Sequence, residues 1–147
     1  MASFAYEDLT PGTVIDLGEV VVDKTEMLEF NERFDPQPFH LDEEAGRDSV
    51  LGGLCASGWF TASLWMRQYV DRVLAGSTSQ GSPGGRDLSW RAPVYPGDVL
   101  RCRIEVVSAR LSRTRPNLGL VEITGTANRG EECVMSFTFT GMFGTRD

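Results

Sequence analysis

Apolar positions along the chain change period twice. From Thr13 to Val22, behind the turn signal Pro11-Gly12, the pattern predicts a first strand. Met27, Phe30 and Phe34 then recur at helical spacing and leave Glu26, Glu29, Glu32 and Arg33 for water, which predicts an amphipathic helix. Asp23 followed by Glu26 has the spacing of a capping box and marks its start. Asp35-Pro36-Gln37-Pro38 marks its end, because each proline removes an amide donor and pushes the residue before it toward extended dihedrals. A short acidic helical turn is expected from Asp42 to Arg47. Gly52 and Gly53 then lead into the longest helix, near Ala56 to Ala75. Apolar residues such as Trp59, Phe60, Leu64, Trp65, Met66 and Tyr69 cover most of its circumference, so it should be wrapped by other structure.

Beyond residue 86 the period becomes two. Strands are expected at Leu88 to Ala92, Arg101 to Glu105, Leu120 to Ala127 and Cys133 to Thr140. In the last, Cys133, Met135, Phe137 and Phe139 form an apolar face, and most of the alternating side chains carry hydroxyls. Turn chemistry at Pro96-Gly97-Asp98, Arg115-Pro116-Asn117 and Asn128-Arg129-Gly130 makes the strands mostly antiparallel. One buried helix with a strand before it and several after it predicts an α+β hot-dog fold, a curved antiparallel sheet wrapped around a long central helix. Residues 1–147 are read as a single domain, with Gly76 to Gly85 as a mobile loop inside it.

Composition narrows the function. A chain of 147 residues with 41% hydrophobic and 24% charged side chains can bury a core without disulfides or a structural metal. Three cysteines without a CxxC pair argue against a disulfide framework and favour a reducing compartment, here the cytoplasm. A net charge of −7 repels a phosphate backbone, so no nucleic-acid partner is expected. The amino terminus has no basic, apolar leader, and the greasiest stretch, Gly58 to Ala75, is broken by charges, so no membrane association is expected.

His40 is the only histidine, which leaves no multi-histidine metal site within one chain. It follows Asp35 by five residues across two prolines, and such a stiff, irregular path can aim a carboxylate and an imidazole at one point. The residues alone also allow a surface histidine and an aspartate that merely ends the helix. Gly58 likewise fits either a backbone donor at a helix start or simple close packing.

The run FDPQPFHLDEEA followed by GGLCASGWFTASLWMR resembles the MaoC-like acyl dehydratases, or (R)-specific enoyl-CoA hydratases. Asp35, Pro38, His40, Asp42 and Gly58 occupy the positions of that family's motif, and PVYPGDVL at Pro93 to Leu100 resembles its Pro-x-x-x-Gly-Asp strand opening. Gln37 stands where many members carry Asn, and Ser57 where many carry His.

This resemblance implies reversible syn hydration of a trans-2-enoyl-CoA to the (3R)-3-hydroxyacyl-CoA, with Asp35, His40 and Gly58 catalytic. Asp35, at a reference pKa of about 3.9, would be the base, His40 the water orienter and proton donor, and the Gly58 amide the enolate's partner. Ser57 and Trp59 would contact substrate, with bulky residues such as Trp59 and Trp65 restricting the tunnel to short acyl groups. The CoA phosphates call for arginines, and Arg113 and Arg115 form the most prominent cluster, with Arg67 and Arg91 behind them. No cofactor or metal is implied, and the family's shared tunnel implies a homodimer or higher homo-oligomer. The rival readings are a hot-dog thioesterase, an acyl-carrier-protein dehydratase and a non-catalytic acyl-CoA-binding subunit. The first two use a carboxylate on the central helix, where this chain has only the late Asp71.

Overall fold

Period-two alternation in the second half of the chain closes into a ladder in which all neighbouring strands run antiparallel. In the computed structural model, which describes residues 3–146, β1 (Val14–Val21), β2 (Gly84–Trp90), β3 (Val99–Leu111), β4 (Leu118–Arg129) and β5 (Glu132–Gly144) form one sheet in the order β1-β3-β4-β5-β2. Four helices lie between β1 and β2 in sequence: α1 (Lys24–Phe34), α2 (Pro38–Leu41), α3 (Glu43–Asp48) and α4 (Gly58–Tyr69). Side chains at every second position of β3, namely Leu100, Cys102, Ile104 and Val106, are buried, as are Val121, Ile123 and Ala127 of β4. This apolar face receives α4, as the hot-dog arrangement requires.

Trp65 is the main tooth between helix and sheet. Its ring lies 4.8 Å from Phe137 and 5.8 Å from Phe139, edge-on to both, and 5.0 Å from Tyr69. The indole is seated over Gly125 in the middle of β4, where a Cβ would stand 2.5 Å from the ring. A glycine inside a strand weakens it, so its use here reflects the need for close approach.

Several boundaries differ from those read in the sequence. The α-helical part of α4 runs only from Gly58 to Tyr69 and passes into one π turn at Val70–Leu74. The helix is also not wrapped on all sides within one chain, since Trp59 is 58% and Met66 44% exposed. The sheet curves against one side of α4 and leaves the side bearing these two residues open. β2 starts at Gly84, because the glycines taken for loop pair with Thr140 and Phe139 of β5. Upstream, Thr78 and Gln80 also bond to the backbone of β5, so much of the expected loop is tied to the sheet. Among the described residues no helix is long and apolar enough to cross a membrane.

Replacing Gly125 by Ala forces the Trp65 indole off its seat. The expected loss is about 1–3 kcal/mol, the usual scale of overpacking, read as a lower urea midpoint with an unchanged slope.

Candidate active site

The chain between α1 and α4 is too short and proline-rich to form long elements, and it folds as an overhang at one end of the sheet. Asp23 caps α1 by accepting from the Glu26 amide at 2.9 Å, and the helix ends at Asp35, whose backbone has left helical dihedrals. Pro38 then takes the first position of α2, where its missing amide is harmless, and this single turn presents His40. Asp42 caps α3, accepting from the Ala45 amide at 2.9 Å, and Ser57 caps α4, accepting from Trp59.

Three bonds from one buried side chain hold these pieces together. The Asn31 amide group donates to the backbone carbonyls of His40 at 2.8 Å and Cys55 at 3.3 Å, while its own carbonyl accepts from the Ser57 amide at 3.2 Å. Sequence reasoning passed over Asn31. The available signal was its position one turn after Met27, a polar group on the buried face of an amphipathic helix.

The result is a close acid and imidazole pair. Asp35 Oδ2 and His40 Nε2 stand 3.4 Å apart, with the imidazole buried and the carboxylate partly so. His40 Nδ1 is 2.7 Å from the Cys55 carbonyl, which can only accept, so Nδ1 carries the hydrogen. In the neutral ring the lone pair is therefore on Nε2, beside Asp35. Burial alone would raise the Asp35 carboxyl's pKa, but bonds from Gln37 and Ser57, and the His40 charge when that ring is protonated, outweigh it and hold the group below the ordinary carboxylate value. The Gln37 amide donates to Asp35 Oδ1 at 2.6 Å, which gives the residue that departs from the motif a defined job. Burial, helped by the Asp35 charge, pushes the neighbouring Cys55 thiol up to about 11, so at neutral pH it stays protonated and weakly nucleophilic.

A pocket of about 410 Å³ opens beside His40, lined by residues including Cys55, Gly58, Thr61, Trp90 and Arg91. Its wall is braced by the PVYPGDVL segment: Asp98 accepts from the Tyr95 amide and from Arg129, and the Tyr95 hydroxyl donates to the Leu51 carbonyl. Gly58 sits at the first turn of α4, and among the described residues no acceptor is bonded to its amide. A Cβ there would come within 2.4 Å of the Trp90 indole, so this glycine permits the close packing that the sequence also allowed.

The other sequence candidates are divided by the fold. Ser57 is buried within the same cluster. Trp59 does not line the His40 pocket but a separate groove on the open side of α4. Phe60 and Trp65 are core residues. Arg113 and Arg115 are exposed in the β3–β4 turn, at the end of the sheet opposite His40. Thirteen residues of β3 at about 3.3 Å each separate the two ends by roughly 40 Å, so within one chain these arginines do not meet the pocket. Arg91 is the arginine on its rim. Among the described residues no three His, Cys, Asp or Glu side chains converge as metal ligands.

The fold has close counterparts. A family model described as a MaoC like domain matches residues 8–127. The crystal structure of the MaoC-like dehydratase from Rhodospirillum rubrum is similar with a TM-score of 0.90 and 36% identity, covering 99% of each chain. The 3-hydroxybutyryl-CoA dehydratase of Methylorubrum extorquens is 28% identical over 135 residues, 88% of this chain and 78% of that protein. An (R)-hydratase from Pseudomonas aeruginosa shares the fold at a TM-score of 0.77 and 18% identity, over 98% of this chain and 88% of its own. The Asp35 to His40 loop, the capped start of α4 and most of the sheet that carries them all lie inside the matched stretch, and the chain belongs to the MaoC-like dehydratase family.

Proposed function

We propose that this protein adds water across the double bond of a trans-2-enoyl-CoA to give the (3R)-3-hydroxyacyl-CoA, and catalyses the reverse dehydration. The observation that carries the reading is the pairing of two acceptors, Asp35 Oδ2 and His40 Nε2, at 3.4 Å, with His40 in the lining of the pocket. With Nδ1–H committed to Cys55, both atoms look for hydrogens, and one water can give one to each.

Asp35 takes a proton as the water oxygen bonds to C3, and the π electrons move onto the thioester oxygen. The Gly58 amide at the start of α4 meets that oxygen, where the helix's unpaired N–H groups favour negative charge. The proton passes to Nε2 and from there to C2, so hydroxyl and hydrogen arrive from the same side. Ser57, by donating to Asp35, keeps the base charged and aimed.

The dehydratase name of the Methylorubrum relative supports a CoA thioester as substrate. Arg91, which lines the pocket, offers a guanidinium for a CoA phosphate; Arg113 and Arg115 could serve only across a subunit boundary. Thioester hydrolysis is less well supported, because α4 carries no carboxylate and Asp71 just beyond it pairs with Arg67 at the surface. Free Cys55, Cys102 and Cys133 suit the cytoplasm.

A homodimer completes this reading. β2 is a sheet edge, and beside it Trp59, Met66, Leu88 and Trp90 leave apolar surface open to water. Twofold contact would cover both copies at once.

Incubation with crotonyl-CoA should remove the enoyl chromophore without releasing free thiol; thiol release would indicate hydrolysis, and no change would overturn the reading. Asp35→Asn and His40→Gln should each slow hydration by about a hundredfold or more while remaining folded. Sedimentation at assay concentration should show a dimer or larger, and a fully active monomer of 16.2 kDa would contradict the shared tunnel.

The lowered Asp35 pKa gives a further expectation with a definite sign. Folding favours the carboxylate, so its contribution is fully present above the unfolded value of about 3.9 and is lost as pH falls through the lower folded value. The stability of the wild type minus that of Asp35→Asn should therefore stay level above about pH 5 and decline below about pH 4 in urea titrations.

A further inference from the structure

Two compartments meet at a pair of indoles. On one side lies the 410 Å³ pocket of His40, with Trp90 in its wall. On the other lies a groove of about 760 Å³ between α4 and strands β2 and β5, lined by Trp59, Met66, Leu88, Phe137, Phe139 and Phe143 among others. Trp59 and Trp90 touch edge to face, with centroids 4.9 Å apart, and the Trp90 ring lies directly over Gly58. No residue belongs to both linings.

The orientation of Trp90 depends on a break in the strand. Gly85 pairs with Phe139 and Trp90 with Met135, and both partners face the core. Residues 85 and 90 are an odd number apart, so in a regular strand they would face opposite sides of the sheet. The register shifts between Arg86 and Ser89, where Asp87 adopts φ 57°, the one described residue other than glycine with positive φ. A bulge of this kind adds a residue and re-aims the side chains after it. Here it turns Trp90 inward, over the start of α4, at the expense of a backbone conformation that a non-glycine residue rarely adopts.

We propose that Trp90 is the chain-length gate of this site. Its indole, half-exposed in one chain, stands between the His40 pocket and the apolar groove, so that a short acyl group ends at the ring. Removing the ring joins pocket and groove and lets a longer hydrocarbon chain continue along α4 toward Met66 and Phe137. This inference rests on the acyl-CoA reading above and assigns its specificity. The sequence points to Trp59 and Trp65 for the restriction, but neither lines the His40 pocket; both lie along the groove beyond Trp90.

Binding of saturated butyryl-CoA and octanoyl-CoA, which cannot be hydrated, tests the gate apart from the chemistry. Calorimetric titration of the full chain should show that the wild type prefers butyryl-CoA. Trp90→Ala should shift the ratio of affinities toward octanoyl-CoA by at least tenfold, given about fourfold per newly buried methylene. Trp90→Leu reads the same ratio in smaller measure should the alanine variant not fold. An unchanged ratio in a folded variant, or a wild type that already prefers octanoyl-CoA, overturns the gate. Normal binding and the expected shift without crotonyl-CoA hydration would overturn the hydratase reading and leave the gate standing; a wild type that binds neither thioester would overturn both.

Discussion

The site depends on a backbone carbonyl that can accept and never donate. Cys55 O receives the His40 ring N–H and one Asn31 amide hydrogen, and with that the tautomer of the only histidine is settled. The proposed chemistry follows from it, because in the neutral ring the lone pair on Nε2 faces Asp35 and the two atoms form an acceptor pair. Asn31 makes the carbonyl available by joining three segments that no regular element connects: α1, the proline loop and the capped start of α4. Its side chain uses both donors and its acceptor, which is how a buried amide avoids the penalty of an unpaired polar group.

Beneath the site, the sheet sets where α4 begins. Trp65 seated over Gly125 and packed against Phe137 and Phe139 fixes the helix on the sheet's apolar face. The same fixing puts Gly58 under Trp90 and turns Trp59 and Met66 away from the core. One helix thus has three surroundings: core, pocket and open groove. The open groove and the free edge of β2 lie together, which is why assembly and substrate passage are physically linked in the reading offered above.

Much was legible in the sequence. The Asp23 cap, the stop at Asp35-Pro36-Gln37-Pro38 and the alternation in the last strands are local rules, and local rules survive folding when the tertiary structure agrees with them. Motif resemblance pointed to Asp35 and His40, and the proline-stiffened path of five residues does bring the two side chains to 3.4 Å. Arg113 and Arg115 show the opposite case. They stand two residues apart in one turn, but which end of a sheet a turn occupies depends on strand order, and strand order is non-local.

By itself, then, the sequence determined the element types and the α+β class, since each depends on periodicity, dihedral limits or short chain connections; for Asp35 and His40 it supplied a stiff path that permits their meeting. Only the tertiary structure decided which ring nitrogen of His40 carries hydrogen, because the Cys55 carbonyl reaches it from fifteen residues away. It alone also decided that Trp90, and not Trp59 or Trp65, walls the pocket. A side chain's face on a strand follows from register, and the bulge at Asp87 reverses that face in a way that only pairing with β5 reveals.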